Sequence, residues 1–398
     1  VDRASKNRDL NYPLFLTGGT GFLGSHLAVA FLRAGRQVIL LARPKNGKSA
    51  EERLSSLFDW FYLHESFRRN ARLVEGDVLL PEFGLAPQLV KKLELEGCEF
   101  IHCASNTSFS ERKRPEVEAV NVGGLTNILN FAASSRAGFL HLVSTAFVAG
   151  RTTGRCFEEP ASPASFTNVY EETKCRGEWI ARETCRRAGI GLAVYRPSIA
   201  YGDSQTGRSL SFNALYHPVR TLQFLRKIYE KDILERGGTK AAPEGIWMNR
   251  DGTMHFPCRI EVGGNGGLNL IPVDFFVDAF RALMSQARDG DCFHIVNDSL
   301  TPISAVAEYT NKVLKLEGMR TCRPEQMAKT PPNALERLFA HYTETYGPYM
   351  KDERIFSTQR CHPILEMRGI ACPQFNEAAF TRCMAYAVSV DWGAKLSF

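Results

Sequence analysis

The sequence predicts an α/β protein: a doubly wound parallel sheet with a smaller, mostly helical C-terminal domain. Three observations point there. Short apolar runs alternate with amphipathic stretches over roughly the first 200 residues. A glycine-rich string follows the first of those runs and opens the first amphipathic stretch. Past residue 205 the alternation breaks, and Gly and Pro become frequent.

Taken in order, the candidate strands are Leu14–Leu16, Val38–Leu41, Arg72–Val74, Phe100–Cys103, Phe139–Ser144 and Leu192–Tyr195. Each is short, continuous and rich in Val, Ile, Leu and Phe, as strands buried on both faces must be. Helical patterns lie between them near 22–34, 50–69, 85–96, 115–135 and 170–188. The stretches RGGTKAAPEG and GGNGG then punctuate 237–267. Two further strands, Leu268–Ile271 and Phe293–Val296, flank a helix at 274–287. The tail from about 302 is helical and mixed, with breaks expected at Pro331–Pro332 and Pro363. This divides the chain into a nucleotide domain, 10–205 plus 268–300, and a substrate domain, 206–267 plus 301–398.

Composition narrows the class. The chain has 398 residues, 44% hydrophobic and 23% charged, which excludes a disordered or low-complexity protein. No apolar run approaches the ~18 residues of a membrane-spanning helix. The opening VDRASKNRD is polar, without the apolar stretch of a secretory signal and without an initiator Met. Eleven cysteines are spread without a C-x-x-C pair, which fits free thiols in a reducing cytoplasm. Nine histidines show no ligand spacing, so no metal is expected. The net charge of +6 is scattered rather than gathered into a stripe. That argues against nucleic acid and for weak attraction of anionic ligands. A homo-oligomer is compatible with the sequence.

The sharpest motif is Thr17-Gly-Gly-Thr-Gly-Phe-Leu-Gly24, between a strand and a helix. Gly18 would permit a tight turn, Gly21 the approach of a pyrophosphate, and Gly24 close packing of helix on strand. The helix N-terminus would supply N–H groups and positive dipole to the phosphates. This is the fingerprint of a Rossmann-type dinucleotide site. The second strand ends in Arg43-Pro-Lys45 rather than in the acid that would bind a ribose hydroxyl. A cation there favours the 2′-phosphate of NADPH, and Arg53 on the next helix could reach the same group; a solvated loop is the plainer alternative. Asp77, after the third strand, could accept the adenine amino group, although such an Asp also occurs without a ligand.

Tyr170 and Lys174 stand four residues apart, on one face of a helix. A phenol with a free pKa near 10 needs help to work at neutral pH. A neighbouring ammonium and a positive nicotinamide ring would lower that value. The fifth strand ends in Ser144-Thr145, where hydroxyls face the crevice of an open sheet. Thr145, with Ser144 behind it, could donate to a developing oxyanion.

These motifs together resemble the extended short-chain dehydrogenase/reductase superfamily, over residues 12 to about 300. The likeness rests on Thr17–Gly24, Asn121 in Asn121-Val-Gly-Gly124, Ser144-Thr145, Tyr170/Lys174 and Arg196-Pro197-Ser198. It implies that Thr145, Tyr170 and Lys174 form the catalytic triad, with Ser144 beside them. It implies cofactor contacts from Gly18, Thr20, Gly21, Phe22, Leu23, Gly24, Arg43, Arg53, Asp77, Val78, Ala104, Asn121, Tyr170, Lys174, Pro197 and Ile199. Within the superfamily the chain looks most like the thioester reductase and fatty acyl-CoA reductase (male sterility-like) branch. The stretches concerned are Val38–Arg43, His141–Phe147, Asn269–Asp274 and Val388–Trp392.

That likeness implies an NADPH-dependent reductase of acyl thioesters, with acyl-CoA or an acyl carrier protein as donor. Thr145 and Tyr170 would stabilise the oxyanion, the hemithioacetal would collapse to an aldehyde, and a second reduction would give the alcohol. The rivals are a nucleotide-sugar epimerase or dehydratase, a hydroxysteroid-type dehydrogenase, and a non-enzymatic NADPH sensor. Outside the motifs, His217 falls where the substrate domain begins and is a candidate substrate contact. Cys103 and Cys175 lie near the site but read as small hydrophobes. The apolar stripe of Leu215, Val219, Leu222, Leu225 and Tyr229 reads as a core-facing helix, with a lid or carrier-protein contact as the alternative.

Overall fold

The computed structural model describes residues 12–135, 137–263 and 266–396. The proposed domain start at residue 10, and Gly264 and Asn265 of the GGNGG stretch, lie outside the described residues. Seven parallel strands form the central sheet: β1 (Leu14–Thr17), β2 (Val38–Ala42), β3 (Ala71–Glu75), β4 (Glu99–His102), β5 (Phe139–Val143), β6 (Gly191–Pro197) and β7 (Cys292–Ile295). Their order is β3-β2-β1-β4-β5-β6-β7, so the winding reverses between β1 and β4. That reversal opens a crevice at the carboxyl ends of the strands, where doubly wound sheets bind ligands.

Each strand feeds both faces in alternation. Leu14, Leu16, Val38 and Leu40 pack in one cluster beneath helices α1 (Phe22–Arg33) and α2 (Ala50–Trp60). Phe15, Ile39 and Leu41 pack in the other, with α3 (Pro87–Glu96), α4 (Leu125–Ser134) and α5 (Val169–Ala188). Continuous apolar runs were the sequence signature of this arrangement because neither face is wet. A third cluster joins α6 (Tyr216–Arg236) to segments from 241 onward, including α8 (Ile303–Leu314), α9 (Ala334–Tyr342) and α10 (Glu377–Ser389).

Four details differ from expectation. The helix expected over 50–69 ends at Trp60, since Tyr62 takes φ 50°, and only a short turn at Glu65–Arg68 follows. Helix 115–135 contains a π-helical stretch, Ala119–Gly124. Leu268–Ile271 does not enter the main sheet. Instead Gly267–Leu268 pairs with Thr301–Pro302, and Leu270–Pro272 pairs with Ile199–Tyr201 ahead of α7 (Val273–Gln286). Pro363 begins a short helix, His362–Glu366, rather than breaking one, because proline's missing N–H costs nothing in a first turn. Among the described residues no helix is long and apolar enough to cross a membrane, and no cluster of metal-ligating groups occurs. All eleven cysteines are unpaired.

Candidate active site

The loop between β1 and α1 is shaped by contacts that admit no side chain. Gly18 has φ 75°, and a Cβ there would stand 2.6 Å from the Ala104 nitrogen at the end of β4. A Cβ on Gly24 would stand 2.2 Å from the Gly18 carbonyl oxygen, so α1 packs directly on the loop. Gly21 donates to the Gly18 carbonyl at 2.8 Å and is the N-cap of α1, with no side chain capping the helix. The first N–H groups of Phe22, Leu23 and Gly24 therefore stand ready for an anion. Thr17 and the buried His102 (Oγ1–Nδ1 2.8 Å) tie β1 to β4 below the loop. Burial pushes His102 down to about 3, so it is neutral at physiological pH.

At the ends of β2 and β3, Arg43 is half exposed and paired with Asp77 at 2.8 Å. Asp77 also accepts from the Leu79 N–H at 3.0 Å, so its carboxylate is engaged within the chain. Arg53 is buried; it donates to the Arg43 carbonyl at 2.6 Å and to Thr20 Oγ1 at 3.0 Å. Its Nε has no partner in the protein. Arg53 thus joins the residue that follows β2 to Thr20 of the glycine loop, beside the α1 N-terminus. Val78 packs against Gly124 and accepts from Asn127 Nδ2 at 2.8 Å.

Catalytic candidates gather at the carboxyl end of β5. α5 is capped by Asn168, whose Oδ1 accepts from the Glu171 N–H at 3.1 Å. Lys174 Nζ donates to the Val143 carbonyl, the last residue of β5, at 2.7 Å. Thr145 Oγ1 lies 3.4 Å from the Pro197 carbonyl and accepts from the Phe147 N–H at 3.3 Å. Burial pushes the Tyr170 phenol above its ordinary value, and a hydrogen bond with Thr145 opposes that rise. The Thr145 contribution was not among the influences expected from spacing. Burial lowers Lys174 to about 8. Cys103 lies close enough to influence both, and burial raises its thiol to about 12, leaving it protonated.

Ser144 is buried near Glu178, and its hydroxyl makes no close hydrogen bond among the described residues. Glu178 forms a buried ion pair with Arg196 at 2.6 Å. Asn121, in the π-helical stretch, accepts from the Asn106 N–H at 2.8 Å and donates to Thr173 Oγ1 at 3.0 Å. It fastens the loop after β4 to α5. Such stretches recur at functional sites because they redirect one turn of side chains.

Beyond Tyr170 opens an apolar cavity of about 870 Å³, counting its solvent-open mouth. Phe109, Phe147, Tyr346 and Tyr349 surround the Tyr170 end; Phe109 stands 5.8 Å from Tyr170 and 5.4 Å from Tyr349, centroid to centroid. Ile199, Leu215, Val219 and Leu222 add aliphatic wall, with Met319 and Phe339 from the C-terminal segments. The stripe on α6 is therefore both core and cavity wall. His217 does not line the cavity; its Nε2 lies 2.9 Å from the Tyr342 carbonyl. Cys175 Sγ donates to the Ala161 carbonyl.

Sequence reasoning missed the aromatic residues around Tyr170. Phe109 sits in an irregular loop with no periodicity to mark it. Tyr346 and Tyr349 stand three apart in a 3₁₀ stretch, Glu344–Lys351, where residues at that spacing eclipse. The Tyr346-Gly-Pro-Tyr349 pattern was the one available signal.

The sequence model of the family described as male sterility protein matches residues 16–280. The non-canonical nonribosomal peptide synthetase FrzA of a Cladobotryum species is 29% identical over 217 residues, covering 50% of this chain and 21% of the synthetase. Fatty acyl-CoA reductase wat of Drosophila melanogaster is 26% identical over 233 residues, covering 49% of this chain and 44% of that enzyme. The chain thus spans about a fifth of the first relative and under half of the second. Among solved structures, the terminal R domain of the myxalamid PKS-NRPS pathway superposes with TM-score 0.75 at 20% identity, over 97% of this chain and 92% of that one. At that identity the likeness speaks for the fold.

Proposed function

The chain belongs to the male sterility protein family, on the extended short-chain dehydrogenase/reductase fold, and on that premise we propose that it is an NADPH-dependent reductase of acyl thioesters. The observation that carries this reading is the position of Tyr170 at one end of a cavity lined almost wholly by apolar side chains. The cofactor would be held by Gly18–Gly24 and the α1 N-terminus, with Arg43 and Arg53 toward the 2′-phosphate. When bound, it supplies a hydride to the thioester carbonyl.

The remaining work falls to the chain's own residues. Thr145 and Tyr170 hydrogen-bond the carbonyl oxygen as negative charge develops there. Burial keeps the Tyr170 proton in place near neutrality, which suits an acid that donates rather than a base that abstracts. Lys174, fixed by the Val143 carbonyl, keeps positive charge close to that oxygen below about pH 8. Expulsion of the thiol leaves an aldehyde; the same Tyr170 could protonate the alkoxide of a second reduction.

The cavity also weighs among the rival substrates. A nucleotide sugar would leave hydroxyls unpaired against this wall, at a cost of roughly 1–3 kcal/mol each. A hydrocarbon acyl group leaves none. The phosphates of CoA, or an acidic carrier protein, match the +6 net charge. Residues 10–205 with 268–300 are taken as the cofactor half, and the rest as the substrate half. The test is oxidation of NADPH and of NADH against acyl-CoAs, aldehydes, ketosteroids and sugar nucleotides, with aldehyde trapped as a hydrazone. Aldehyde or alcohol from an acyl thioester supports the reading; turnover confined to a ketosteroid or a sugar nucleotide refutes it.

A further inference from the structure

Directly after Tyr170 comes Glu171, which is fully buried. Its carboxylate accepts from the Thr167 N–H at 2.9 Å and from the Tyr349 hydroxyl at 2.8 Å. The Tyr349 oxygen in turn accepts from Asn168 Nδ2, the cap of α5, at 2.8 Å. Arg354 completes the group: it stands 3.4 Å from Glu171, donates to the Gly150 carbonyl at 2.7 Å, and lies 4.8 Å from the Phe147 ring centre. Asp352 holds the other side of that guanidinium at 2.7 Å. Residues 354–356 also pair as a parallel strand with 154–156.

This network spans some 180 residues of sequence, from the N-terminal turn of α5 to the segment 349–354. The ring of Tyr349 forms part of the cavity wall, stacked on Phe109 and edge-on to Phe147 at 5.2 Å. One side chain therefore has its ring on the substrate side and its hydroxyl on the helix that carries Tyr170. Burial and the Glu171 carboxylate both push the Tyr349 phenol up, so it stays a donor.

Building on the proposed thioester reduction, we infer that the Tyr349 hydroxyl is a positioning group for Tyr170. It acts through Glu171 and the α5 cap, and the Tyr349 ring separately shapes the cavity. A buried carboxylate is strongly directional about its partners, because a lost hydrogen bond leaves it uncompensated. Fixing the first turn of α5 fixes the height of the Tyr170 phenol over the crevice. Small displacements of an acid from its productive position are costly in rate.

The inference separates two properties that a purely structural role would move together. Tyr349→Phe keeps the ring and removes the hydroxyl. It is expected to lower kcat about ten- to hundredfold, equally for short and long acyl thioesters, with KM and cofactor affinity unchanged. Tyr349→Leu also alters the wall and is expected to raise KM, most for the longest chains. Glu171→Gln retains an acceptor for the tyrosine and should lose less kcat than Tyr349→Phe.

Hydrogen exchange over residues 167–174 reads the same coupling without any substrate, and should quicken in Tyr349→Phe. An unchanged exchange rate overturns the inference, as does an unchanged kcat or a change in KM alone. If the unmodified protein reduces no thioester, the functional reading falls instead, and the exchange measurement alone decides the positioning role.

Discussion

The cofactor loop and the substrate cavity are built on opposite plans. The loop is local: eight consecutive residues, Thr17–Gly24, supply the turn, the close approach and the helix N-terminus. Its shape comes from backbone contacts. The cavity draws Phe109, Phe147, Ile199, Leu222, Met319, Phe339 and Tyr349 from widely separated segments, and its wall is mostly apolar. Tyr170 sits where the two meet. A backbone-defined site tolerates almost no change, whereas a wall of many apolar side chains can be retuned one residue at a time.

The largest effect is expected at the junction. Tyr170→Phe retains the ring and removes the acid, so turnover of aldehydes should fall by ~10²–10⁴ while cofactor affinity holds. Steady-state rates beside a cofactor titration check it, and near-normal turnover would break the assignment. Thioester turnover should fall less, since oxyanion stabilisation by Thr145 survives.

Next comes the loop itself. In Gly18→Ala, φ 75° is strained for any side chain and the new Cβ meets backbone that cannot move aside. Left-handed strain of about 1–3 kcal/mol together with that overlap should weaken the dinucleotide at least tenfold. Calorimetry measures it; unaltered affinity would mean that the loop is looser than its contacts.

A smaller effect is expected at the charged rim of the loop. Arg43→Ala should weaken NADPH by about 1.5–3 kcal/mol, ten- to hundredfold, and barely touch NADH. Because Arg43 is shared with Asp77, Asp77→Asn should act in the opposite sense and tighten NADPH slightly. Equal losses for both dinucleotides would remove the 2′-phosphate from the account.

The mildest perturbation is pH. Lys174 is lowered to about 8 by burial, so it carries its charge below that pH and loses it above. Activity should therefore decline as pH rises through about 8, well before an ordinary lysine would titrate near 10.4. A kcat/KM profile flat to pH 10 would show that the ammonium is not needed.

The contrast also explains what the sequence made legible. Glycine spacing, the strand runs and the four-residue step from Tyr170 to Lys174 are short-range patterns, and the seven strands lie where those patterns put them. The environment of the pair was not legible. Spacing places Lys174 beside Tyr170 but says nothing of burial, which raises the phenol, or of the Val143 carbonyl, which holds the ammonium. Ser144 is adjacent to Thr145 in sequence, but adjacency says nothing of the buried Glu178–Arg196 ion pair that lies near it. Leu268–Ile271 had the composition of a sheet strand, but its partner, Ile199–Tyr201, lies outside the main sheet. Tyr349 and Glu171 meet only through the fold, so no window of sequence contains both.

The central claim is that Tyr170 serves an apolar acyl group held in this cavity. It is tested most directly by kcat/KM for NADPH-dependent reduction across saturated acyl thioesters of increasing length. Each added methylene should contribute about 0.8 kcal/mol until the cavity is full, roughly a fourfold rise per carbon followed by a plateau. A flat dependence on length, or turnover of sugar nucleotides with no thioester reduced at any length, would contradict it.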